Sequence, residues 1–221
     1  MTRVLHRDLF LDGPAGRLEA LLWTSPLREP PLAGLVCHPH PLFGGTLHNK
    51  VVFRAAKTMH RLGVPVLRFN FRGAGKSDGR HDEGRGEAED VRAALDFLAA
   101  EFPGRPLLLA GFSFGAWVGL RVGCADARVA GLIGLGVPVN NAKHSYLRDC
   151  RKPKLFVHGS EDEHGAIARV RELFANLPEP KRLAVVEGAD HFFAGKLTEV
   201  ETAIRAWLLE RHPELSSLEE K

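Results

Sequence analysis

The chain has 221 residues, of which 44% are hydrophobic, and a formal net charge of +3. A chain of this length and composition can bury one sizeable core, so we expect a single domain over residues 1–221. Lysines and arginines are interspersed rather than clustered, which argues against a nucleic-acid-binding surface. No apolar stretch reaches membrane-spanning length, and the charged opening residues are not expected to form a signal peptide.

Cysteine usage indicates a reducing compartment. The three cysteines, Cys37, Cys124 and Cys150, are odd in number and follow no metal-ligand spacing. Cys37 and Cys124 lie within apolar segments, as small buried residues do. We therefore predict a cytoplasmic protein.

The predicted elements begin with a hairpin and then alternate between strands and helices. Residues 4–11 and 18–24 flank a turn that contains glycine and proline, which predicts two antiparallel strands. A surface loop follows at residues 26–31, and residues 213–221 are predicted to be a frayed polar tail. Further strands are predicted at residues 33–37, 64–71, 106–110, 129–137, 154–157 and 182–186, and helices at 50–62, 87–102, 167–177 and 200–209, with one more after Gly115.

This alternation predicts an α/β fold. The expected architecture is a mostly parallel, twisted sheet with helices on both faces. In such sheets, ligands bind at the carboxyl ends of the strands, so reactive residues are expected just after each strand.

One segment after the strand at residues 106–110 carries the strongest functional signal. It reads Gly111-Phe112-Ser113-Phe114-Gly115 and leads into an apolar helix. A strand, a G-x-S-x-G turn and a helix together predict a nucleophile elbow, in which the serine sits in a strained turn at the sheet edge. Taken alone, the pentapeptide also fits a glycine-rich loop with Ser113 as a helix N-cap.

Two later segments supply the partners that a nucleophilic serine needs. The hydroxyl requires a base to take its proton and a third group to hold that base. Asp162 follows the strand at residues 154–157, and His191 follows the strand at residues 182–186. The order Ser113, Asp162, His191 is the one expected of this fold.

Three neighbouring residues compete for these roles. Glu161 is the alternative acid, but it lies one position nearer the strand, before the chain has turned toward the base. His158 is the alternative base, but it precedes the acid and belongs to the strand itself. Asp190 is expected to contact solvent or a neighbouring loop.

Stabilising the developing oxyanion requires two amide donors. Phe114 is predicted to give one of them. The other should come from the loop at residues 38–46, which reads H-P-H-P-L-F-G-G-T. Because its two prolines have no N–H, His40, Leu42 or a later residue must supply the donor, and Leu42 is favoured over His40.

Three other motifs suggest different chemistry and are set aside. Residues 73–77 read Gly-Ala-Gly-Lys-Ser, as in a phosphate-binding loop, but Asn70 stands where that motif demands glycine. His38 and His40 have no further ligand at a matching spacing, so no metal site is predicted. Cys37 and His38 are adjacent on a strand and point to opposite faces, which excludes a catalytic pair.

With these motifs the chain resembles the α/β-hydrolase superfamily, and within it the small lidless bacterial hydrolases that carry an H-P-H-P-x-F-G-G-T loop. The resemblance extends from the first hairpin to the last helix. It includes the triad positions Ser113, Asp162 and His191 and the glycine-rich turn at residues 72–77. Only residues 138–151 stand where many relatives insert a helical lid, which implies an open site and disfavours long lipid chains.

The sequence therefore predicts a serine hydrolase that cleaves a small carboxylic ester or thioester through an acyl-enzyme, without a cofactor. Ser113 would be the nucleophile, His191 the base and Asp162 the orienting acid. An acyltransferase or peptidase on the same residues is the alternative, as is a binding module that kept the fold without the chemistry. Neither nucleic acid nor membrane is an expected partner. An uncovered edge of the sheet could pair two subunits, so a homodimer is a further expectation.

Overall fold

The computed structural model describes residues 6–24 and 30–218. The first residues of the predicted hairpin, most of the loop predicted at 26–31 and the last residues of the predicted tail lie outside these ranges. The described strands are β1 (His6–Gly13), β2 (Gly16–Trp23), β3 (Ala33–Cys37), β4 (Val66–Phe69), β5 (Leu107–Phe112), β6 (Val129–Leu135), β7 (Lys154–Gly159) and β8 (Lys181–Val186).

These strands form one eight-stranded sheet in the order β1-β2-β4-β3-β5-β6-β7-β8. The pairs β1–β2 and β2–β4 are antiparallel, and every neighbouring pair from β4 to β8 is parallel. All residues of β3, β5 and β7 are buried, whereas β1 and β2 alternate between covered and exposed positions. The carboxyl ends of the parallel strands therefore meet at one edge, and that edge carries the site.

In the described ranges, five α-helices cover the sheet on both faces. They are α1 (Lys50–Arg61), α2 (Arg85–Glu101), α3 (Phe114–Ala125), α4 (Ile167–Ala175) and α5 (Leu197–Arg211). The apolar faces of α1 and α5 share one core with residues of β3, β5 and β7, while α2 and α3 pack into a second core on the other face. The predicted α/β fold is confirmed, with helix and strand ends that differ from the predicted ones by a few residues.

The end of the described chain departs from the prediction of a frayed tail over residues 213–221. Pro213–Leu218 forms a short 3-10 helix, which begins directly after α5. Leu215 is fully buried and belongs to the same core as Ile204 and Trp207 of α5. That prediction is therefore wrong for residues 213–218, because the buried Leu215 packs the turn against α5.

The connection between β6 and β7 contains no lid. It carries one 3-10 turn at Ser145–Leu147, and Leu147 is buried. No helix among residues 6–24 and 30–218 is long and apolar enough to cross a membrane.

Candidate active site

Ser113 occupies a sharp turn between β5 and α3. Its φ of 54° and ψ of −118° lie in the left-handed half of the backbone map, which side chains rarely adopt. A Cβ at Gly111 would lie 2.3 Å from the carbonyl oxygen of Gly115, and a Cβ at Gly115 would lie 2.4 Å from that of His38. Only glycine fits at both positions, so the turn has the geometry of a nucleophile elbow.

The structure brings Ser113, His191 and Asp162 together, although they are far apart along the chain. The Oγ of Ser113 lies 2.9 Å from Nε2 of His191, and Nδ1 of His191 lies 2.8 Å from Oδ2 of Asp162. His191 and Asp162 are buried, while Ser113 is partly exposed to the cleft. The imidazole therefore connects a buried carboxylate to an accessible hydroxyl.

Asp162 is held in its ionised form by its surroundings. Burial by itself raises the pKa of this carboxyl, but the hydrogen bond and charge of His191, together with the charge of His158 and the amide of His164, outweigh it, so the pKa of Asp162 lies below its ordinary value. Its other oxygen, Oδ1, accepts hydrogen bonds from the amides of His164 at 2.8 Å and Gly165 at 3.0 Å. The carboxylate is thus fixed in place and able to stabilise a positive charge on His191.

Within the described residues, none of the three competing side chains forms a hydrogen bond with Ser113 or with the ring of His191. His158 is fully buried and bonds through Nε2 to the carbonyl of Gly165 at 2.5 Å, while the same nitrogen lies 3.3 Å from Oδ2 of Asp162. It therefore supports the loop of the acid. Glu161 is exposed, and Oδ1 of Asp190 accepts the amide N–H of Ala194.

The loop after β3 forms a short 3-10 turn at Pro41–Phe43, which decides where its amides point. The N–H of Leu42 donates to Nδ1 of His40 at 3.3 Å, and the Leu42 side chain is 69% exposed. The N–H of His40, in contrast, has no partner within the described residues. The preference for Leu42 over His40 therefore conflicts with the hydrogen bonding, because the amide of Leu42 is already in use.

Phe114 is the first residue of α3. The first N–H groups of a helix have no partner within it, and the helix dipole places positive partial charge there. The Phe114 amide, which follows Ser113 directly, therefore has no hydrogen-bond partner within the part of the chain that the structure describes, and its place at a helix N-terminus suits a developing negative charge.

His38 fixes the loop that carries His40. Its Nδ1 donates to the carbonyl of Pro39 at 2.6 Å, and its Nε2 accepts the amide N–H of Phe71 at 2.9 Å. Complete burial lowers the pKa of His38 to about 4. This neutral imidazole links the ends of β3 and β4, and with both nitrogens in use it is no metal ligand.

A cleft of about 690 Å³ opens above Ser113 and His191. Its further lining includes His40, Phe43, His81, Phe114, Trp117, His164 and Phe192. Phe43 is 86% and Phe192 is 53% exposed, so the rim is apolar and open to solvent.

Comparison with known protein families identifies the family of this fold. Residues 43–208 match the family model described as an alpha/beta hydrolase domain. The chain belongs to the α/β-hydrolase family.

Two solved structures and one sequence relative are similar to this chain over most of its length. A lidless α/β serine hydrolase from Xanthomonas campestris is 35% identical, with a TM-score of 0.86 and coverage of 94% of this chain and 95% of that one. An α/β serine hydrolase homologue from Coxiella burnetii is 38% identical, with a TM-score of 0.86 and coverage of 93% and 97%. An uncharacterized protein from Rickettsia prowazekii is 35% identical over 211 residues, which cover 91% of this chain and 88% of that protein.

The motifs set aside from the sequence have structural explanations in the hydrolase. In the turn at residues 73–77, Oγ of Ser77 donates to the carbonyl of Asn70 and accepts the amide N–H of Glu19. Burial raises the pKa of the Cys37 thiol, which keeps it protonated. Within the described residues, no group of three or more His, Cys, Asp or Glu side chains is placed to hold a metal ion.

Two features of the hydrolase's site escaped the sequence analysis. Gly136 has a φ of 52°, and a Cβ there would lie 3.3 Å from the imidazole of His191. His81 lines the cleft with Nδ1 2.8 Å from Oε1 of Glu87, a carboxylate that is completely buried. The sequence gives only a weak signal for the pair of His81 and Glu87, because a glutamate in the first turn of a helix, six residues after a histidine, is a common arrangement.

Proposed function

We propose that the hydrolase cleaves carboxylic esters through an acyl-enzyme, with Ser113 as nucleophile, His191 as general base and acid, and Asp162 as the orienting carboxylate. The observation that carries this proposal is the unbroken chain of contacts from Asp162 through His191 to Ser113, at 2.8 Å and 2.9 Å. Such a chain is what converts a poor nucleophile into a reactive one.

In the first half-reaction, Oγ of Ser113 attacks the acyl carbon while its proton moves to Nε2 of His191. The amides of Phe114 and His40 are the proposed donors to the oxyanion, since neither has a hydrogen-bond partner among the described residues and both residues line the cleft. The tetrahedral intermediate then collapses. The bond to the leaving alcohol breaks, and the alcohol takes the proton from His191.

In the second half-reaction, water replaces the alcohol. His191 takes a proton from the water as it attacks the acyl carbon, and returns that proton to Oγ of Ser113 when the acid is released. The open cleft favours this outcome, because no lid keeps water from the acyl-enzyme. A thioester would react by the same steps, with a thiol as the leaving group.

Labelling with a fluorophosphonate tests the proposal. We expect stoichiometric modification of Ser113, with loss of hydrolysis of a short-chain 4-nitrophenyl ester in the same proportion. The Ser113→Ala variant should be neither labelled nor active, while Ser160→Ala, which removes a loop hydroxyl bonded to Gly188 and not to the triad, should retain both properties. A folded wild-type protein that resists the probe would contradict the proposal.

The same assays separate the alternatives. If acyl transfer dominates, added alcohols or amines will divert the product from free acid to a new ester or amide. If the fold serves only for binding, the Ser113→Ala variant will match the wild type in every turnover assay.

A further inference from the structure

The cleft contains a second imidazole paired with a buried carboxylate, and the mechanism above does not use it. The side chain of His81 is 12% exposed and that of Glu87 is fully buried, with 2.8 Å between Nδ1 and Oε1. The contact is out of line for a good hydrogen bond, so it is mainly electrostatic. A carboxylate at this distance keeps a proton on Nδ1, since a bare lone pair there would be repelled.

Glu87 is itself fixed. Its Oε1 accepts the amide N–H of Asp82 at 2.8 Å, and its Oε2 accepts that of Gly84 at 2.7 Å, which closes the N-terminus of α2. His81 is therefore held by a rigid helix end.

The other nitrogen of His81 is accessible, and the residue lines the cleft. Nε2 makes no hydrogen bond within the described residues. It is also not one of the buried atoms left without a partner, so it is accessible to a ligand. In the tautomer that carries its proton on Nδ1, the ring offers a lone pair at Nε2. The cleft wall thus carries an oriented hydrogen-bond acceptor in addition to the triad.

Aromatic rings surround this acceptor. The ring of His81 lies 4.6 Å from that of His40 and 5.5 Å from that of Phe114, between centroids. Phe43 continues the row beyond His40 at 4.7 Å, and Trp117 continues it beyond Phe114 at 5.8 Å. We call these five residues the ring wall; a flat aromatic group can pack against it by offset or edge-to-face contact.

We propose that His81 is a specificity-determining residue that accepts a hydrogen bond from a hydroxyl on an aromatic ring of the substrate, so that the preferred esters carry a hydroxylated aromatic group. This inference rests on the proposed function, because it assigns a substrate class to the same cleft. Ring stacking supplies the affinity, and the hydroxyl, which donates its hydrogen to Nε2, fixes the orientation.

The test compares methyl esters that differ only on the ring. They are the esters of 3-phenylpropanoic acid and of its 3-hydroxyphenyl, 4-hydroxyphenyl and 4-methoxyphenyl counterparts, assayed at pH 8. We expect at least one hydroxyphenyl ester to exceed the phenyl ester in kcat/KM by about 3- to 10-fold, mostly through KM, because the contact is present in ground and transition states alike. The methoxy ester has no hydrogen to donate and should lose that advantage.

Two variants isolate the nitrogen from the ring. His81→Phe keeps a ring against His40 and Phe114, and its preference for the hydroxyphenyl esters should fall to about one. Phe43→Leu removes a different member of the ring wall, so it should weaken all the ring esters together and preserve the preference. A wild-type enzyme without the preference, or a His81→Phe enzyme that keeps it, would overturn the proposal.

Failure of the proposed function gives a different result. If no ester is turned over and Ser113 resists the fluorophosphonate, calorimetry measures the affinities of the corresponding free acids instead. Tighter binding of a hydroxyphenyl acid that depends on His81 would still support the acceptor. Equal affinities would overturn it.

Discussion

At the residue scale, the backbone and the side chain of His40 have separate tasks. The ring packs against Phe43 and Phe114 and accepts the N–H of Leu42, whereas the backbone N–H has no partner in the described part of the chain and is the proposed oxyanion donor. Substitution of His40 by alanine removes the contacts of the ring and keeps the backbone N–H. Substitution by proline removes both the ring and the N–H.

We predict that His40→Pro lowers kcat well below that of His40→Ala. The φ of His40 is −56°, which proline adopts without strain, so the backbone can keep its course. Loss of one oxyanion donor costs roughly 10²- to 10³-fold in kcat, and this factor should separate the two variants. Steady-state kinetics on one ester measures it. If the two variants have equal kcat, the second donor is another amide.

His38 makes the stability of the fold depend on pH. Its pKa is about 4 in the folded protein, below the ordinary value of 6.5 expected after unfolding, so the unfolded chain binds the proton more tightly. Stability is therefore fully present above pH 6.5 and is lost as the pH falls toward 4. The expected loss from this one group is about 3 kcal/mol over that interval.

Urea unfolding at several pH values between 7 and 4.5 measures the effect, with His38→Gln as the non-titrating comparison. The variant will be less stable at pH 7, because the bonds to Pro39 and Phe71 are altered, but its stability should fall less steeply. Curves of equal slope for the two proteins would show that His38 is not the titrating group.

At the element scale, sequence patterns are sufficient to predict those strands, helices and turns whose own residues determine their structure. The apolar run before Ser113, the glycines on either side of it and the acid and base after β7 and β8 led to the triad positions that the structure brings together. The antiparallel hairpin and the helices that alternate with parallel strands followed from periodicity in the same way.

Features that depend on distant contacts could not be predicted from the sequence. The strand β4 lies between β2 and β3, and this order depends on how all the strands pair rather than on the sequence of any one strand. The 3-10 turn at Pro41–Phe43 commits the Leu42 amide to the ring of His40, which the spacing of the prolines does not reveal. Glu87 looked like an ordinary acidic residue of a helix start, and its burial depends on the loop before α2 folding over it.

The 3-10 helix at Pro213–Leu218 allows a test at this scale. Leu215 is fully buried in the core formed by α1 and α5, so Leu215→Ala should lower the free energy of unfolding by about 2–4 kcal/mol and leave kcat unchanged. Ser216→Ala changes an exposed side chain next to it and should alter stability by less than about 0.5 kcal/mol. Equal unfolding midpoints for the two variants would mean that the turn contributes little.

At the scale of the whole molecule, the open cleft determines how substrate reaches Ser113. In a lidded hydrolase, contact with an oil–water interface shifts the population from closed to open forms, and the rate rises when substrate passes its solubility limit. Here the connection from β6 to β7 carries only the turn at Ser145–Leu147, and Phe43 at the rim is already 86% exposed. We therefore expect no closed form of the cleft that a ligand or an interface would have to open.

We therefore predict ordinary saturation kinetics with no interfacial activation. Initial rates on a sparingly soluble ester should follow a hyperbola and level off at the solubility limit, because only dissolved ester enters the cleft. Phe43→Ser makes the rim more polar, and the shape of its curve should stay the same, since that shape depends on the absence of a lid rather than on adsorption. A several-fold step in rate when droplets form would contradict the prediction, and its loss in Phe43→Ser would assign the step to the exposed rim.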